Sequence, residues 1–458
     1  MPTLHWIGKE KVINHHRDVP FKILEHNYSF NKEESSVPNK NNTNKIIHGD
    51  NLEALKTLLP EFESKINCIY IDPPYNTGYE SWVYNDNVNH PKIKKWLEAT
   101  LKAKENKKEA VISVDDLARH DKWLCMMYPR LCLLQKLLSE SGVIFISIDD
   151  NEVHSLQCIC DEIFGSTNKL GVLIWKNVTD NNPTNISIEH EYILCYSKNK
   201  SKVPPVWKSS NSFVKDKLIE IGDELISKYE NPKELQEFYN KWFKENKPYL
   251  WPLDRYKYID KHGVYTGSQS VHNPGKEGYR YDVIHPKTKF PFKEPLMGYR
   301  FPQSTMDELI NQDKILYGED HTKIIELKVY AKDYKAKLPS VINLDGRLGA
   351  YELRDIFPET KKTFDNPKTV QLIEELLSFA TSNSDIILDS FAGSGTTAHA
   401  VLNLNNQDNG NRRFILIEME DYANDITAER VKRVIKGYKD KKGTGGNFES
   451  PPKRGFTL

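Results

Sequence analysis

The sequence predicts an α/β fold: a mainly parallel sheet with helices on both faces, and a second domain inserted into it. Three observations carry this. Short apolar runs alternate with amphipathic stretches of helical period, giving a β-α-β rhythm. The runs are apolar almost throughout rather than at every second position, as strands covered on both sides must be. The rhythm stops near residue 198 and returns after about residue 345, so two separated halves of the chain build one sheet.

The elements follow in order. "KIIHGD" (45–50) reads as a strand and "NLEALKTLL" after it as a helix. "NCIYID" (67–72) is the next strand. "YPRLCLLQKLLSES" is a helix whose Leu131, Leu134, Leu137 and Leu138 share a face, with Gly142 as its terminator. "VIFISID" (143–149) is a strand, "EVHSLQCICDEIF" a helix and "EYILCYS" (191–197) a strand. Residues 200–345 are rich in Lys, Tyr, Pro, Asn and Gly, and in "DRYKYIDKHGVYTGSQSVHNPGKEGYRY" aromatics interleave with bases. The pattern resumes with "PKTVQLIEELLSFA" (helix), "DIILDSF" (strand), "GTTAHAVLNLN" (helix), "RFILIEME" (strand) and "TAERVKRVIKGY" (helix). The expected organisation is an N-terminal extension (1–40), a first half-sheet (41–199), an inserted α+β domain (200–345) and a second half-sheet with a basic C-terminal helix and tail (346–458).

The 458 residues are enough for two or three domains, and 38% apolar with 28% charged residues is a soluble globular composition. Formal net charge is zero, so any basic surface must be local. Basic residues gather at 92–122 and from 421 onward, as on solvated surface helices. The cysteines (Cys68, Cys125, Cys132, Cys158, Cys160, Cys195) are scattered, and Cys158-Ile-Cys160 lacks the spacing of a zinc site. Free buried thiols, no metal and a reducing cytoplasm are expected. No stretch approaches ~18 uncharged apolar residues, so no membrane span is expected.

Ligands of open α/β sheets bind beyond the carboxyl ends of the strands. Two such ends stand out. In "DSFAGSGTTA" (389–398), Gly393 and Gly395 remove Cβ atoms at a strand-to-helix turn and let a ligand approach the backbone. With Ala398 the spacing fits the dinucleotide fingerprint, and Glu418, ending the next strand, lies where an acid reaches ribose hydroxyls. A nicotinamide dinucleotide and S-adenosylmethionine both fit, since each carries an adenosine. The other end is "IDPPY" (71–75). Asp72 precedes a proline and is held extended, and Pro73 and Pro74 have no N–H. The tip therefore offers acceptors alone, which suits a group that brings hydrogens, such as an amine. Tyr75 adds a flat face for stacking a ring. Together they describe a pocket for an exocyclic amine on an aromatic base.

Asp72-Pro73-Pro74-Tyr75, followed far downstream by Phe391-Ala392-Gly393-Ser394-Gly395, resembles the amino-directed DNA methyltransferases of the β order, in which catalytic motif, target-recognition region and cofactor motif follow one another. The likeness is greatest to the modification (Mod) subunits of type III restriction–modification systems and related N6-adenine enzymes. It runs from about 45 to 440, through "IHGDNLEALKTLLPEF", "DKWLCMMYPRL", "GVIFISIDDNE", "VIHPKTKFPFKEPLMGYRFP" and "FDNPKTVQLIEELL". It implies a seven-stranded Rossmann-like class I methyltransferase sheet, S-adenosyl-L-methionine as cofactor, and residues 200–345 as the target-recognition domain. It also implies double-stranded DNA as substrate, a homodimer, and either a restriction (Res) subunit as partner or, as an orphan methylase, none. By the same likeness Phe391, Ala392, Gly393, Ser394, Gly395 and Thr396 line the cofactor. Asp389 faces its methionine end, Glu418 its ribose, Asp50 its adenine and Lys368 its carboxylate; Asp50 and Lys368 also read as a helix cap and a solvated charge.

The chemistry expected is methyl transfer to N6 of a flipped-out adenine. Asp72 and the Pro73 carbonyl accept from the amine and stabilise positive charge growing on nitrogen, and Tyr75 stacks on the base. An N4-cytosine enzyme uses the same amine logic. A dehydrogenase explains the glycine turn but not Asp-Pro-Pro-Tyr, and a non-catalytic DNA-recognition subunit needs neither intact motif.

Overall fold

The computed structural model describes residues 3–30, 44–77, 114–178, 185–207, 209, 213–247, 250, 253–268, 270–272, 275–335, 337–438 and 456–457. Residues 92–113 of the first basic run, 439–455 of the second, and Gly78 lie outside them. The chain forms two compact units, Met1–Trp207 with Leu338–Leu458, and Lys208–Lys337. Among the described residues no helix is long and apolar enough to cross a membrane. All six cysteines are free, and four of them are buried.

The first unit is built on a ten-stranded sheet. Seven of its strands have four or more residues: β1 (Asn44–His48), β2 (Ile66–Ile71), β3 (Leu138–Ile148), β4 (Lys169–Lys176), β5 (His190–Ser197), β7 (Ile386–Asp389) and β8 (Arg413–Glu418). The shorter ones are β6 (Val341–Asn343) and the edge pieces Ser29–Phe30 and Phe456–Thr457. From those edge pieces inward the order is β1, β8, β7, β2, β3, β5, β4, β6. The central strands β1, β8, β7, β2 and β3 are parallel. The sheet is mixed, however: β5 runs antiparallel to both β3 and β4. No crossover helix is needed between antiparallel neighbours, so β4 and β5 follow each other directly in sequence.

Side chains alternate between the two faces. Ile47, Ile69, Ile71, Ile144, Ile146, Leu388 and Ile417 join one core with the helices α1 (Asn51–Phe62), α2 (Val114–Leu137) and α3 (Val153–Cys160). Ile46, Cys68, Tyr70, Phe145, Ile387 and Leu416 join the other with α4 (Val370–Ala380), α5 (Thr396–Asp408) and α6 (Glu429–Lys436). A strand that alternates between two apolar cores must be apolar at every position, which accounts for the continuous runs.

One predicted boundary moves. "LSES" (138–141) opens β3 rather than closing a helix. Leu138 pairs with Ile66, and a register shift follows before Cys68 pairs with Val143. Gly142 is required there by crowding, since a Cβ on it would meet Ile66 O at 2.8 Å.

The second unit carries helices Phe213–Lys228 and Pro232–Asn246 beside a four-stranded antiparallel sheet. Asn231 caps the second helix by accepting from Lys233 N at 2.9 Å, and Pro232 sits at its first position, where a missing N–H costs nothing. The unit has its own cores, one around Tyr239, Tyr256 and Ile259, another around Val283, Phe292 and Tyr299.

Candidate active site

β2 and β7 are neighbours, with Cys68 opposite Ile387 and Ile69 opposite Leu388. Carried one residue further, that register sets Asp389 beside Tyr70, and Asp72 two residues beyond. The two strand tips marked in the sequence, more than 300 residues apart, are therefore adjacent. On the far side of β7, β8 ends on Glu418, and beyond it β1 leads to Asp50. Four strands of one sheet edge thus end in acids.

At the first tip β2 stops because Pro73 and Pro74 cannot donate to a ladder. Trp123 Nε1 donates to the Pro74 carbonyl at 2.7 Å, whereas among the described residues no donor reaches the Pro73 carbonyl. Asn76 then takes a left-handed backbone (φ 63°), and its buried amide donates to Glu152 Oε1 at 2.5 Å. The tip is held from below, and the acceptors it presents are the Asp72 carboxylate and the Pro73 carbonyl.

The Tyr75 hydroxyl lies 2.9 Å from Asp72 Oδ1 and 2.8 Å from Glu191 Oε2, and its single proton serves the two carboxylates between them. Lys368 Nζ donates to the same hydroxyl at 2.6 Å and to Glu191 Oε2 at 2.8 Å, and lies 3.2 Å from Asp72 Oδ1. The ammonium also stands 4.7 Å from the centre of the Tyr75 ring and 5.5 Å from that of Trp175. Asn177 Nδ2 donates to the other Glu191 oxygen at 2.7 Å. Two carboxylates thus share one ammonium. Burial pushes the Asp72 carboxyl above its ordinary range, and Lys368 pulls it back. Burial alone would lower the Lys368 ammonium, but Asp72 and Glu191 outweigh it, and its pKa rises. Burial, then the charges of Asp72 and Glu191, keep the Tyr75 phenol protonated.

At the second tip the turn depends on two left-handed glycines, Gly393 (φ 51°) and Gly395 (φ 83°). A Cβ on Gly395 would meet the Thr427 backbone oxygen at 3.1 Å, and one on Gly393 the Phe364 ring at 3.3 Å. Glu418 closes the turn: its carboxylate accepts from Gly393 N at 2.7 Å, Met419 N at 2.9 Å and Glu420 N at 3.1 Å. Burial raises its pKa against those three donors. Asp389 accepts from Phe391 N at 3.0 Å and from the Thr397 hydroxyl at 2.5 Å, and burial pushes it up to about 7. Ala392 N donates to Ile417 O at 3.1 Å. Arg430, fully buried, donates to the Ser394 and Thr396 hydroxyls at 2.8 Å each and fixes the start of α5.

Two of the residues expected at the cofactor have close partners within the chain itself. Asp50 is the N-cap of α1, accepting from Glu53 N at 3.0 Å, with buried Arg130 3.8 Å from its other oxygen. The Lys368 ammonium lies on the Asp72–Glu191 pair. Glu191, Asn177, Trp175 and Trp123 belong to the site but were not marked in the sequence. The signal for Glu191 was strand direction. Because β5 is antiparallel, its first residues lie at the edge where the parallel strands end.

A family model described as DNA methylase (N6_N4_Mtase) matches residues 66–429. The chain is 49% identical over 452 residues to the Mod subunit of the type III restriction–modification enzyme EcoP15I of Escherichia coli, covering 96% of this chain and 70% of that one. It is 33% identical over 396 residues to the StyLTI Mod subunit of Salmonella typhimurium, covering 85% and 54%. It is 31% identical over 475 residues to the EcoPI Mod subunit of Escherichia phage P1, covering 95% and 68%.

Proposed function

The chain belongs to the N6_N4_Mtase family of DNA methylases, and from that premise we propose that it transfers a methyl group from S-adenosyl-L-methionine to N6 of an adenine flipped out of double-stranded DNA. The observation that carries this is the adjacency of the two strand tips: an acceptor-only amine site at Asp72 beside a glycine turn flanked by Asp389 and Glu418.

The residues present fit the cofactor. The turn at Gly393 is open to close approach, and any side chain there would fill the space in front of Phe364. Buried carboxylates at Asp389 and Glu418 suit an ammonium and a ribose diol, and the Phe364 and Tyr422 rings, edge to face with centres 5.4 Å apart, offer apolar surface beside them. When bound, S-adenosyl-L-methionine supplies a methyl group made electrophilic by a sulfonium.

The chain's own residues do the rest. Asp72 and the Pro73 carbonyl accept the two hydrogens of the amine, which concentrates its lone pair on nitrogen and offsets the positive charge that develops there. The Tyr75 ring, its hydroxyl held by Lys368 and the two acids, offers a fixed face for stacking. Extruding the base costs a few kcal/mol, which stacking and the amine contacts offset. Lys208–Lys337 is the unit that reads the target sequence. The chain pairs with a second copy of itself, and with a restriction subunit, since the relatives it matches are named as subunits of restriction–modification enzymes; the names support the second partner alone.

The test is direct. Purified chain, S-adenosyl-L-methionine and duplex DNA are incubated, and the DNA is digested for mass spectrometry. N6-methyladenine is expected. N4-methylcytosine would reassign the base, and no methylated nucleoside would sink the proposal. Modification sequencing of a host expressing the chain gives the site, and light scattering with and without a restriction subunit gives the assembly.

A further inference from the structure

The Lys368 ammonium lies against the carboxylate and the ring to which the target amine and base are assigned. It lies 3.2 Å from Asp72 Oδ1 and 4.7 Å from the Tyr75 ring centre, the same carboxylate and the same ring that the target requires. The ammonium donates to the Tyr75 hydroxyl and to Glu191, and is ion-paired with Asp72. The backbone of Lys368 is pinned. The Thr396 hydroxyl donates to its carbonyl at 3.4 Å, and Gly349 packs so close that a Cβ there would meet that carbonyl oxygen at 2.7 Å. A displacement of the ammonium therefore falls to the side-chain torsions rather than the backbone. Glu191 already holds the ammonium more closely than Asp72 does, at 2.8 Å against 3.2 Å, and is itself oriented by Asn177.

We propose that Lys368 is a positioning residue that acts as a placeholder: in the empty enzyme its ammonium fills the target-amine position on Asp72, and an entering base displaces it onto Glu191, which keeps its charge paired. This rests on the proposed function, because only an amine-bearing base has reason to enter. The exchange also selects. A base without an exocyclic amine would expel the ammonium and return no donor in its place, leaving the part-buried Asp72 carboxylate with the Tyr75 hydroxyl but without a counter-charge. Glu191 is thus the landing site that makes displacement affordable, and Lys368 the gate that an amine alone opens.

The full-length chain tests this with cognate duplex. Glu191→Gln strands the ammonium on Asp72, so the KM for DNA is expected to rise about tenfold, roughly one decade of affinity, while kcat and cofactor binding change less. The double variant Lys368→Met, Glu191→Gln has neither placeholder nor landing site and, assayed at alkaline pH so that Asp72 stays ionised without Lys368, is expected to recover most of that KM. A double variant with a KM as high as or higher than that of Glu191→Gln overturns the proposal, because removing the ammonium would then not have freed Asp72 for the base. Should the variants fail to fold, the wild type decides. In a crystal structure with a flipped target adenine, Lys368 Nζ is expected on Glu191 and out of hydrogen-bond reach of Asp72. An ammonium still on Asp72, or turned to the cofactor's carboxylate, overturns the proposal. A wild type that methylates no DNA fails the proposed function itself, before any variant is made.

Discussion

Asp72 is held between burial, which favours its protonated form, and Lys368, which favours the charge. Accepting from an amine and offsetting positive charge both require the ionised form. Asp72→Asn keeps shape and one acceptor but loses the charge, so methyl transfer should fall by about 10²-fold or more, with S-adenosyl-L-methionine binding unchanged by calorimetry; near-wild-type turnover would contradict the role given to it. Asp389 is governed differently. Burial raises it from 3.8 to about 7, against the hydrogen bonds from Thr397 and Phe391 N. The unfolded carboxyl loses its proton near its ordinary value, and the folded one keeps it to about pH 7. Its contribution to stability is therefore present in acid and is lost as pH rises through 7. Asp389→Asn cannot ionise, and Thr397 Oγ and Phe391 N can still be satisfied. The melting temperature of the variant, relative to the ligand-free wild type, should rise by a few °C between pH 5 and pH 8. A difference that is flat across that range would show that Asp389 is ionised throughout.

The turn between β7 and α5 shows what an element asks of its residues. Gly393 and Gly395 both have left-handed backbone, so alanine at either is strained by ~1 kcal/mol. The neighbours differ. At Gly395 the obstruction is the Thr427 backbone oxygen at 3.1 Å, which moves only with its segment; at Gly393 it is the Phe364 ring edge at 3.3 Å, which can turn aside. Gly395→Ala should lower both melting temperature and cofactor affinity, whereas Gly393→Ala should weaken cofactor binding with a smaller thermal effect. Melting curves and titration calorimetry on the pair check this, and equal thermal losses would refute the distinction. This turn was legible in the sequence because its chemistry is local: glycines at fixed spacing between an apolar run and a helix. The elements that escaped depend on distant neighbours. β4 has Lys at both ends, a Gly inside and only two buried side chains, and its strand character comes from pairing with β5. The "LSES" segment reads as the last turn of a helix until Ile66 draws it into the sheet. Glu191 reads as a strand's polar flank until the direction of β5 brings it to the tip of β2, and direction is fixed by the assembled sheet.

At the scale of the molecule, chain order and spatial order are separate. The amine site is made early in the chain and the glycine turn late, and the sheet closes them side by side through β2 and β7. The pieces of one sheet can be far apart in sequence because loop closure grows only slowly with the length enclosed, which leaves room for an independent unit of 130 residues, Lys208–Lys337, with cores of its own. Both ends of that insertion are anchored in the same place. Trp207 and Leu338 pack against the one core that also holds α4, α5 and α6. Neither the parallel strands β1, β8, β7, β2 and β3 nor the two tips draw a residue from the insertion. Replacing 208–337 by a short Gly/Ser linker should therefore leave a folded first unit. It should melt cooperatively and bind S-adenosyl-L-methionine within about threefold of the full chain, roughly 0.6 kcal/mol. Selective binding to the cognate site should be lost, because target reading is assigned to the excised unit. Cofactor calorimetry and a competition assay between cognate and scrambled duplex separate the two effects. If the shortened chain folds and still prefers its site, target reading lies in the first unit, and if it folds but no longer binds the cofactor, the two units are interdependent.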